Sequence, residues 1–303
     1  MYSLSTCWNS HRHQDGRAML NEIKDLGFEY AELSHGIRIS LLPGILEAVD
    51  AGEIRISTLH NFCPLPMGVN HAAPNIFKFT ALDPRERESA LKHSLKTIEL
   101  AQRVGARLVV LHMGSVEMKD YTDKLVDMVG DGKRETPKYE KLFGEMFEKR
   151  EDKKAEHWAL ACDMLKRLAE AAGEAGIMLG IENREACEEI PFESDFTDML
   201  DVGPGDVVKY WHDCGHAQIK EHIGLIDHNF HLMGLADRLA GFHIHDVEFP
   251  GRDHRPPGRG CINWDAITPM VRPDHIKVFE FSPSLTPDDV LAGSNFIRQL
   301  WGE

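Results

Sequence analysis

The sequence predicts an α/β chain folded as one closed barrel of eight parallel strands, each followed by helical sequence. Three observations lead there. Short apolar runs alternate with amphipathic stretches from end to end, and eight such runs can be counted. No glycine-rich dinucleotide fingerprint follows the first run, as the runner-up, an open doubly wound sheet, would be expected to show. The length, 303 residues, is ordinary for a barrel that forms a single domain over residues 1–303.

Each element has its own local signal. Tyr2–Thr6 reads as the first strand. Met19, Leu20, Ile23 and Leu26 recur at helical spacing over Gly16–Gly27, and Gly27 is a stop signal. Tyr30–Leu33 is the second strand, Leu42–Ala51 a short helix closed by Gly52, and Arg55–His60 the third strand. A Pro-containing loop, Cys63–Asn75, follows, in position to wall or cover the barrel mouth. Pro84–Val104 is a strong helix capped by Gly105. Arg107–His112 is nearly all apolar, as a strand covered on both faces should be.

The highly charged stretch Glu117–Lys154 breaks the rhythm, and its Glu148–Lys154 run reads as a solvated face. The alternation then resumes. Trp158–Ala175 is a helix, Ile177–Glu182 the fifth strand, Phe192–Val202 a helix and Val207–Trp211 the sixth strand. Leu232–Leu239 is a helix before Ala240–His245, the seventh strand. Trp264–Val271 is a helix, Ile276–Glu280 the eighth strand, and Asp288–Trp301 the closing helix.

Composition narrows the function classes. With 34 Lys+Arg against 49 Asp+Glu, the formal charge is −15. That excludes a broad electrostatic grip on nucleic acid, which clustered cations must supply, and it disfavours anionic membrane surfaces. The N-terminus lacks a basic region followed by a long apolar one, and no apolar run approaches a membrane span, so a cytoplasmic protein is expected. The six cysteines are scattered, with no C-x-x-C pair, and read as reduced thiols. The unusual count is 17 histidines.

In such a barrel, chemistry gathers at the C-terminal ends of the strands. There the sequence places His60, His112, Glu182, Asp213 with His216, His243 with His245, and Glu280. A mouth lined with acids and imidazoles is costly to bury without an ion. Mixed N/O donors suit Mn, Co, Zn or Fe. His11, His13, His35, His71, His93, His157, His222, His228, His231 and His275 lack a strand-end placement and are expected mostly at surface or loop positions. Trp8 is a candidate for stacking on a bound substrate, with core packing the alternative. Phe281 and Trp264 read as packing residues.

The motifs Thr58-Leu-His60, Val110-Leu-His-Met-Gly-Ser115, Gly180-Ile-Glu-Asn-Arg184, His212-Asp-Cys-Gly-His-Ala217, Gly241-Phe-His-Ile-His-Asp246, Pro257-Gly-Arg-Gly260 and Val278-Phe-Glu280 occur in this order at these strand ends. With them, the chain resembles the xylose isomerase-like TIM-barrel superfamily of sugar isomerases and epimerases, which also includes the family-2 apurinic endonucleases. The resemblance implies one divalent ion (Mn, Co or Zn) held by Glu182, Asp213, His243 and Glu280. It implies that Glu182 and Glu280 double as catalytic base and acid, and that His216 contacts the sugar. The endonuclease branch would add His60, His112, His216 and His254 as further ligands. His60, His112, His216, His245 and His254 are therefore candidates for additional metal or substrate contacts, and His216, Arg252 and Trp8 for substrate binding.

Departures from the endonuclease pattern favour sugar chemistry. Arg252 stands where that branch has an Asp, Cys214 where it has Thr or Ser, and His245 where it has Asn. The implied activity is proton abstraction next to a carbonyl, through an enediolate, on a ketose, aldose or keto-polyol. The alternatives are a metal-dependent lyase or dehydratase on a keto-sugar or glycoside and, further off, a multi-zinc apurinic-site endonuclease. The expected partner is a small carbohydrate, not a membrane or nucleic acid, with a homo-oligomer implied by the resemblance.

Overall fold

The computed structural model describes residues 1–302. Eight parallel strands close on themselves: β1 (Tyr2–Ser5), β2 (Tyr30–Leu33), β3 (Arg55–His60), β4 (Leu108–Leu111), β5 (Met178–Glu182), β6 (Val208–Asp213), β7 (Leu239–Ile244) and, after a small antiparallel pair of β8 (Asp246–Glu248) and β9 (Arg252–Arg255), β10 (Ile276–Phe279). β10 pairs with both β7 and β1, which closes the (β/α)8 TIM barrel. The helices α1 (Gly16–Asp25), α2 (Leu42–Asp50), α3 (Pro84–Arg103), α4 (Thr122–Gly130), α5 (Pro137–Ala175), α6 (Phe196–Leu200), α7 (Cys214–His222), α8 (His228–Leu235), α9 (Trp264–Ile267) and α10 (Pro287–Trp301) lie in the connections.

Strand side chains alternate between two cores. Those facing out, such as Leu4, Leu59, Val109, Ile181 and Phe279, join Leu20, Ile98, Leu165 and Ile297 of the helices in the main hydrophobic cluster. Those facing in, Leu108, Val110, Trp211, Ile276 and Val278, form a separate apolar plug inside the barrel. His243 meets Trp211 edge-on, with ring centroids 5.1 Å apart. The polar site therefore rests on a dry floor.

The structure departs from the sequence reading in three places. The segment Glu117–Lys154 is no loose excursion. α4 is followed by α5, one 39-residue helix that absorbs the helix expected at Trp158–Ala175. Thr136 caps its start, Pro137 begins it, and Gly176 at φ 70° ends it. Its first half packs on α4 through Tyr121, Leu125, Tyr139 and Met146. Arg150, placed in a solvated charge run by sequence, is fully buried. It donates to the carbonyls of Cys187 (3.0 Å) and Glu189 (3.2 Å), so α5 holds the loop after β5. α7, directly after β6, carried no apolar stripe and was not foreseen. The β8–β9 pair was also missed.

Among the described residues, no helix is long and apolar enough to cross a membrane.

Candidate active site and metal centre

β5, β6, β7 and the end of β10 bring Glu182, Asp213, His243 and Glu280 together. One donor atom from each lies within 4.8 Å of the others, and all four residues are buried. His243 Nδ1 is 2.6 Å from Glu182 Oε1, 3.3 Å from Glu280 Oε2 and 3.7 Å from Asp213 Oδ2. On the other side of the ring, Nε2 is 3.1 Å from Glu32 Oε2. Thus one imidazole lies among four buried carboxylates. A single ring, even protonated, cannot balance that charge. A divalent cation can, and three carboxylate oxygens with one imidazole nitrogen are a suitable donor set. The residues present fit a metal ion.

The charge states follow from the packing. Burial pushes the Glu182 carboxyl up, but Arg184, then His243 and His112, outweigh it and hold the group well below the usual carboxylate range. Arg184 Nη1 donates to Glu182 Oε2 at 2.8 Å, and Nε to Glu189 Oε1 at 3.1 Å. Burial raises Asp213 too, and His216 and His245 more than reverse it. Asp213 caps α7, accepting the His216 amide at 2.8 Å, so the strand-to-helix turn fixes both residues. Burial lowers the His245 pKa, yet the Asp213 carboxylate, 3.0 Å from Nε2, lifts it to about 9. Gly215 makes room for that ring, because a Cβ there would lie 2.1 Å from His245 Cε1.

Further donor groups flank this centre. His60, His112 and Glu182 form one cluster; His216, His245 and His254 form another; Glu185, His216 and Asp253 form a third. His112 Nδ1 contacts Asn75 Oδ1 at 2.9 Å, which leaves Nε2 2.8 Å from Glu182 Oε2. Burial and Arg184 lower its pKa to about 3, so the ring is neutral, as a metal ligand must be. His60 Nδ1 is held by the Asn61 carbonyl (2.9 Å), His216 Nδ1 by that of Asn183 (3.1 Å) and His254 Nδ1 by that of Glu280 (3.0 Å). Each ring therefore turns Nε2 away from its carbonyl partner, the arrangement outer partners impose on ligating histidines. His254 sits at φ 51°, a left-handed backbone unusual outside glycine.

The other candidates are placed as follows. Trp8 is not available to a sugar. It is fully buried, its indole N–H donates to the Leu285 carbonyl at 2.9 Å, and Arg12 lies 4.2 Å over the ring, so the packing alternative describes it. Arg252 is exposed at the edge of a cavity it shares with His35, His254 and Glu280, within 3.5 Å of Glu248. Phe281 and Trp264 are buried packing residues. In the loop after β3, Phe62 and Leu65 are buried while Met67 is exposed.

Of the remaining histidines, His11, His13, His35, His71 and His275 lie in turns or loops, and His93, His222 and His231 are partly exposed on helices; His157 and His228, buried on helices, depart from the surface-or-loop expectation. Burial holds His228 and His275 at about 4, and each buried ring keeps a hydrogen-bond partner. His228 Nε2 lies 2.9 Å from His212 Nε2, and His157 bridges the Thr80 carbonyl and the Glu117 amide. The sequence reading also missed Glu32, which backs His243. Its one signal was a carboxylate inside the otherwise apolar run Tyr30–Leu33. Asn183, which joins the Asp213 amide (2.7 Å) and carbonyl (2.9 Å), was missed as well.

The family described as Xylose isomerase-like TIM barrel matches residues 20–300. No curated protein matches significantly. Among solved structures, a D-tagatose 3-epimerase-like protein is similar over 99% of this chain and 96% of its own, at TM-score 0.71 and 15% identity. The D-allulose 3-epimerase from Methylomonas sp. is similar at TM-score 0.69 and 15% identity, over 98% of this chain and 96% of that one. The 3-keto-D-glucoside 4-epimerase from E. coli is similar at TM-score 0.66 and 15% identity, over 98% of each chain. At such identities the likeness is one of fold.

Proposed function

The chain belongs to the xylose isomerase-like TIM-barrel family, and from that premise we propose that it is a metal-dependent isomerase or epimerase acting on a ketose, aldose or keto-polyol. The observation that carries this reading is the convergence of Glu182, Asp213, His243 and Glu280 on one buried point above an apolar floor. These four residues would hold the ion, with Mn, Co or Zn suited to the donor set. When bound, the ion supplies Lewis-acid polarisation of a substrate carbonyl.

The residues do the rest. Glu182, kept ionised by Arg184, takes the proton from the carbon next to the carbonyl. Glu280, which approaches the same imidazole edge as Glu182, returns a proton. Return to the opposite face epimerises the carbon, and return to the neighbouring carbon isomerises the sugar. His216 and Arg252 orient substrate hydroxyls, and the burial of the acid pair excludes water. The chain acts as one domain over residues 1–303, in the cytoplasm, as a homo-oligomer whose partner is the carbohydrate.

The test combines metal content with proton exchange. The expected result is one tightly held ion per chain, and deuterium uptake from heavy water at the carbon next to the carbonyl, abolished by chelator. Absence of exchange from a panel of ketoses, aldoses and keto-polyols would sink the reading. Release of water or an alcohol would move the activity to a lyase. The flanking imidazole groups favour one further reading, a multi-zinc phosphodiesterase at abasic DNA. It requires three ions per chain and cleavage of an abasic duplex, against a formal charge of −15.

A further inference from the structure

Two separate cavities open beside the donor cluster, and they differ in chemistry. One, of about 360 Å3, is bordered by Glu280 itself, with His35, Ala72 and His254. The other, of about 370 Å3, is bordered by His112, Arg184 and Asn75 but by none of the four residues at the centre. Three imidazoles run between them. His35 meets His60 at 4.8 Å between ring centroids, and His60 meets His112 at 4.7 Å. The chain segment from Ala72 to Asn75 contributes to both walls. The cavities therefore adjoin one reactive centre from two sides. Each is at the small end of the roughly 300–1,000 Å3 range of ligand pockets, and a free monosaccharide would leave one of them empty.

The second cavity has the surface of a sugar subsite. The Phe77 ring forms part of its wall, fixed by stacking on His93 (5.4 Å) and an edge contact with Phe62 (5.9 Å). Such a face suits the C–H side of a pyranose. Asn75, Ser115, Glu117, Asp120 and Glu185 line it with hydrogen-bonding groups. Its Arg184 is already matched by Glu182 and Glu189, which leaves Lys78 against four further carboxylates, Glu117, Asp120, Glu185 and Glu188. That balance repels phosphate or carboxylate and favours neutral hydroxyls.

Building on the proposed reaction, we propose that the substrate is a glycoside: a keto-sugar whose reacting ring lies against Glu280, and whose substituent, a second uncharged sugar ring, fills the cavity between Phe77, Ser115 and Glu185. Binding energy from that remote ring is then available to the reaction, as it is wherever a non-reacting part of a substrate is held.

The test compares a keto-glucose, its methyl glycoside and its glucosyl glycoside as probes of deuterium exchange on the metal-loaded enzyme. The subsite predicts that kcat/KM rises about tenfold or more from the free sugar to the glucosyl glycoside. Ser115→Trp and Ala186→Trp, two independent ways of filling the cavity, should collapse that ratio towards one. Equal kcat/KM for all three probes, or a preference that survives both substitutions, overturns the subsite while leaving the reaction intact. Calorimetry with unreactive glucose and a glucosyl-glucose disaccharide reads the subsite without the reaction. Tighter disaccharide binding, lost in both variants, supports it even where no exchange occurs, and equal binding overturns it.

Discussion

Replacing Glu32 with Gln tests whether the four-residue centre is a metal site or only a buried ionic cluster. Glu32 is fully buried and touches no candidate substrate cavity, so its effect must pass through His243. Its Oε2 accepts from Thr58 Oγ1 at 2.8 Å and lies 3.1 Å from His243 Nε2. Burial alone would favour the neutral acid, but His243 outweighs it and keeps the carboxylate charged. A charged outer partner makes the opposite nitrogen, Nδ1, a better donor to an ion held with Glu182, Asp213 and Glu280.

Gln keeps the length but removes the charge. Its single oxygen must serve both Thr58 and His243, or its NH2 must face one of them. Loss of such a partner costs about 10–100-fold in metal affinity, or ~1.4–2.7 kcal/mol. At saturating metal, the stabilisation conferred by the ion should fall by about the same amount. Competition against a chromophoric chelator with Co2+ or Mn2+ reads the affinity. Thermal unfolding with and without metal reads the linkage, as a narrower gap between the two Tm values. An affinity within about twofold of the parent, or equal destabilisation of the metal-free and metal-loaded forms, would refute the reasoning and leave Glu32 a purely structural acid.

Glu280→Gln should lower the exchange rate at saturating metal by about 10²–10⁴-fold, the usual worth of a positioned proton-transfer group; a loss that extra metal fully restores would reduce Glu280 to a ligand. Burial, against the pull of nearby Glu221, holds His228 at about 4, and burial with Lys220 holds His231 at about 4, from an ordinary 6.5. Since the unfolded chain takes those protons first, stability is full above pH 6.5 and falls as pH drops towards 4, by up to roughly 3 kcal/mol per group. Denaturant titrations across that window should show a shallower slope for His228→Gln, and a parallel curve would contradict the assignment. Gly241→Ala would place a Cβ 2.3 Å from the Ile276 carbonyl oxygen and 2.6 Å from the Trp211 ring. It should destabilise by about 1–3 kcal/mol, and a neutral result would show that the barrel floor yields freely.

The strands and the main donors were legible because each left a local trace. β4 is buried along its whole length and reads as an apolar run ending just before His112. Glu182, Asp213, His243 and Glu280 stand where such runs stop, and closure of the barrel carries four distant strand ends to one point. Long-range matches left no such trace. α7 is buried at seven positions, among them Lys220, which pairs with Glu193 at 2.6 Å. A helix that buries polar residues against charged partners has no apolar stripe to detect. Arg150 misled for the same reason. A charge run looks solvated until the carbonyls of Cys187 and Glu189 are seen to need a donor.

The histidine excess shows what that limit means for the site. Some of these rings face the acids at the mouth, but His212, His228 and His231 lie behind the barrel wall. Tyr210 ties them together, its hydroxyl reaching His212 Nδ1 at 2.7 Å, His231 Nε2 at 3.2 Å and Asn183 Oδ1 at 3.2 Å. Asn183 in turn brackets the Asp213 backbone. Chemistry-bearing residue types therefore serve two ends on one strand. In β6, Asp213 faces the mouth, while Tyr210 and His212 anchor the turn that aims it. Composition counts both uses alike. Strand alternation separates them, because a residue next to a ligand points to the opposite side of the sheet. His212 faces Phe242 and α8 for that reason, and the same geometry turns His243 in among the buried carboxylates while its neighbour Phe242 packs on Trp301.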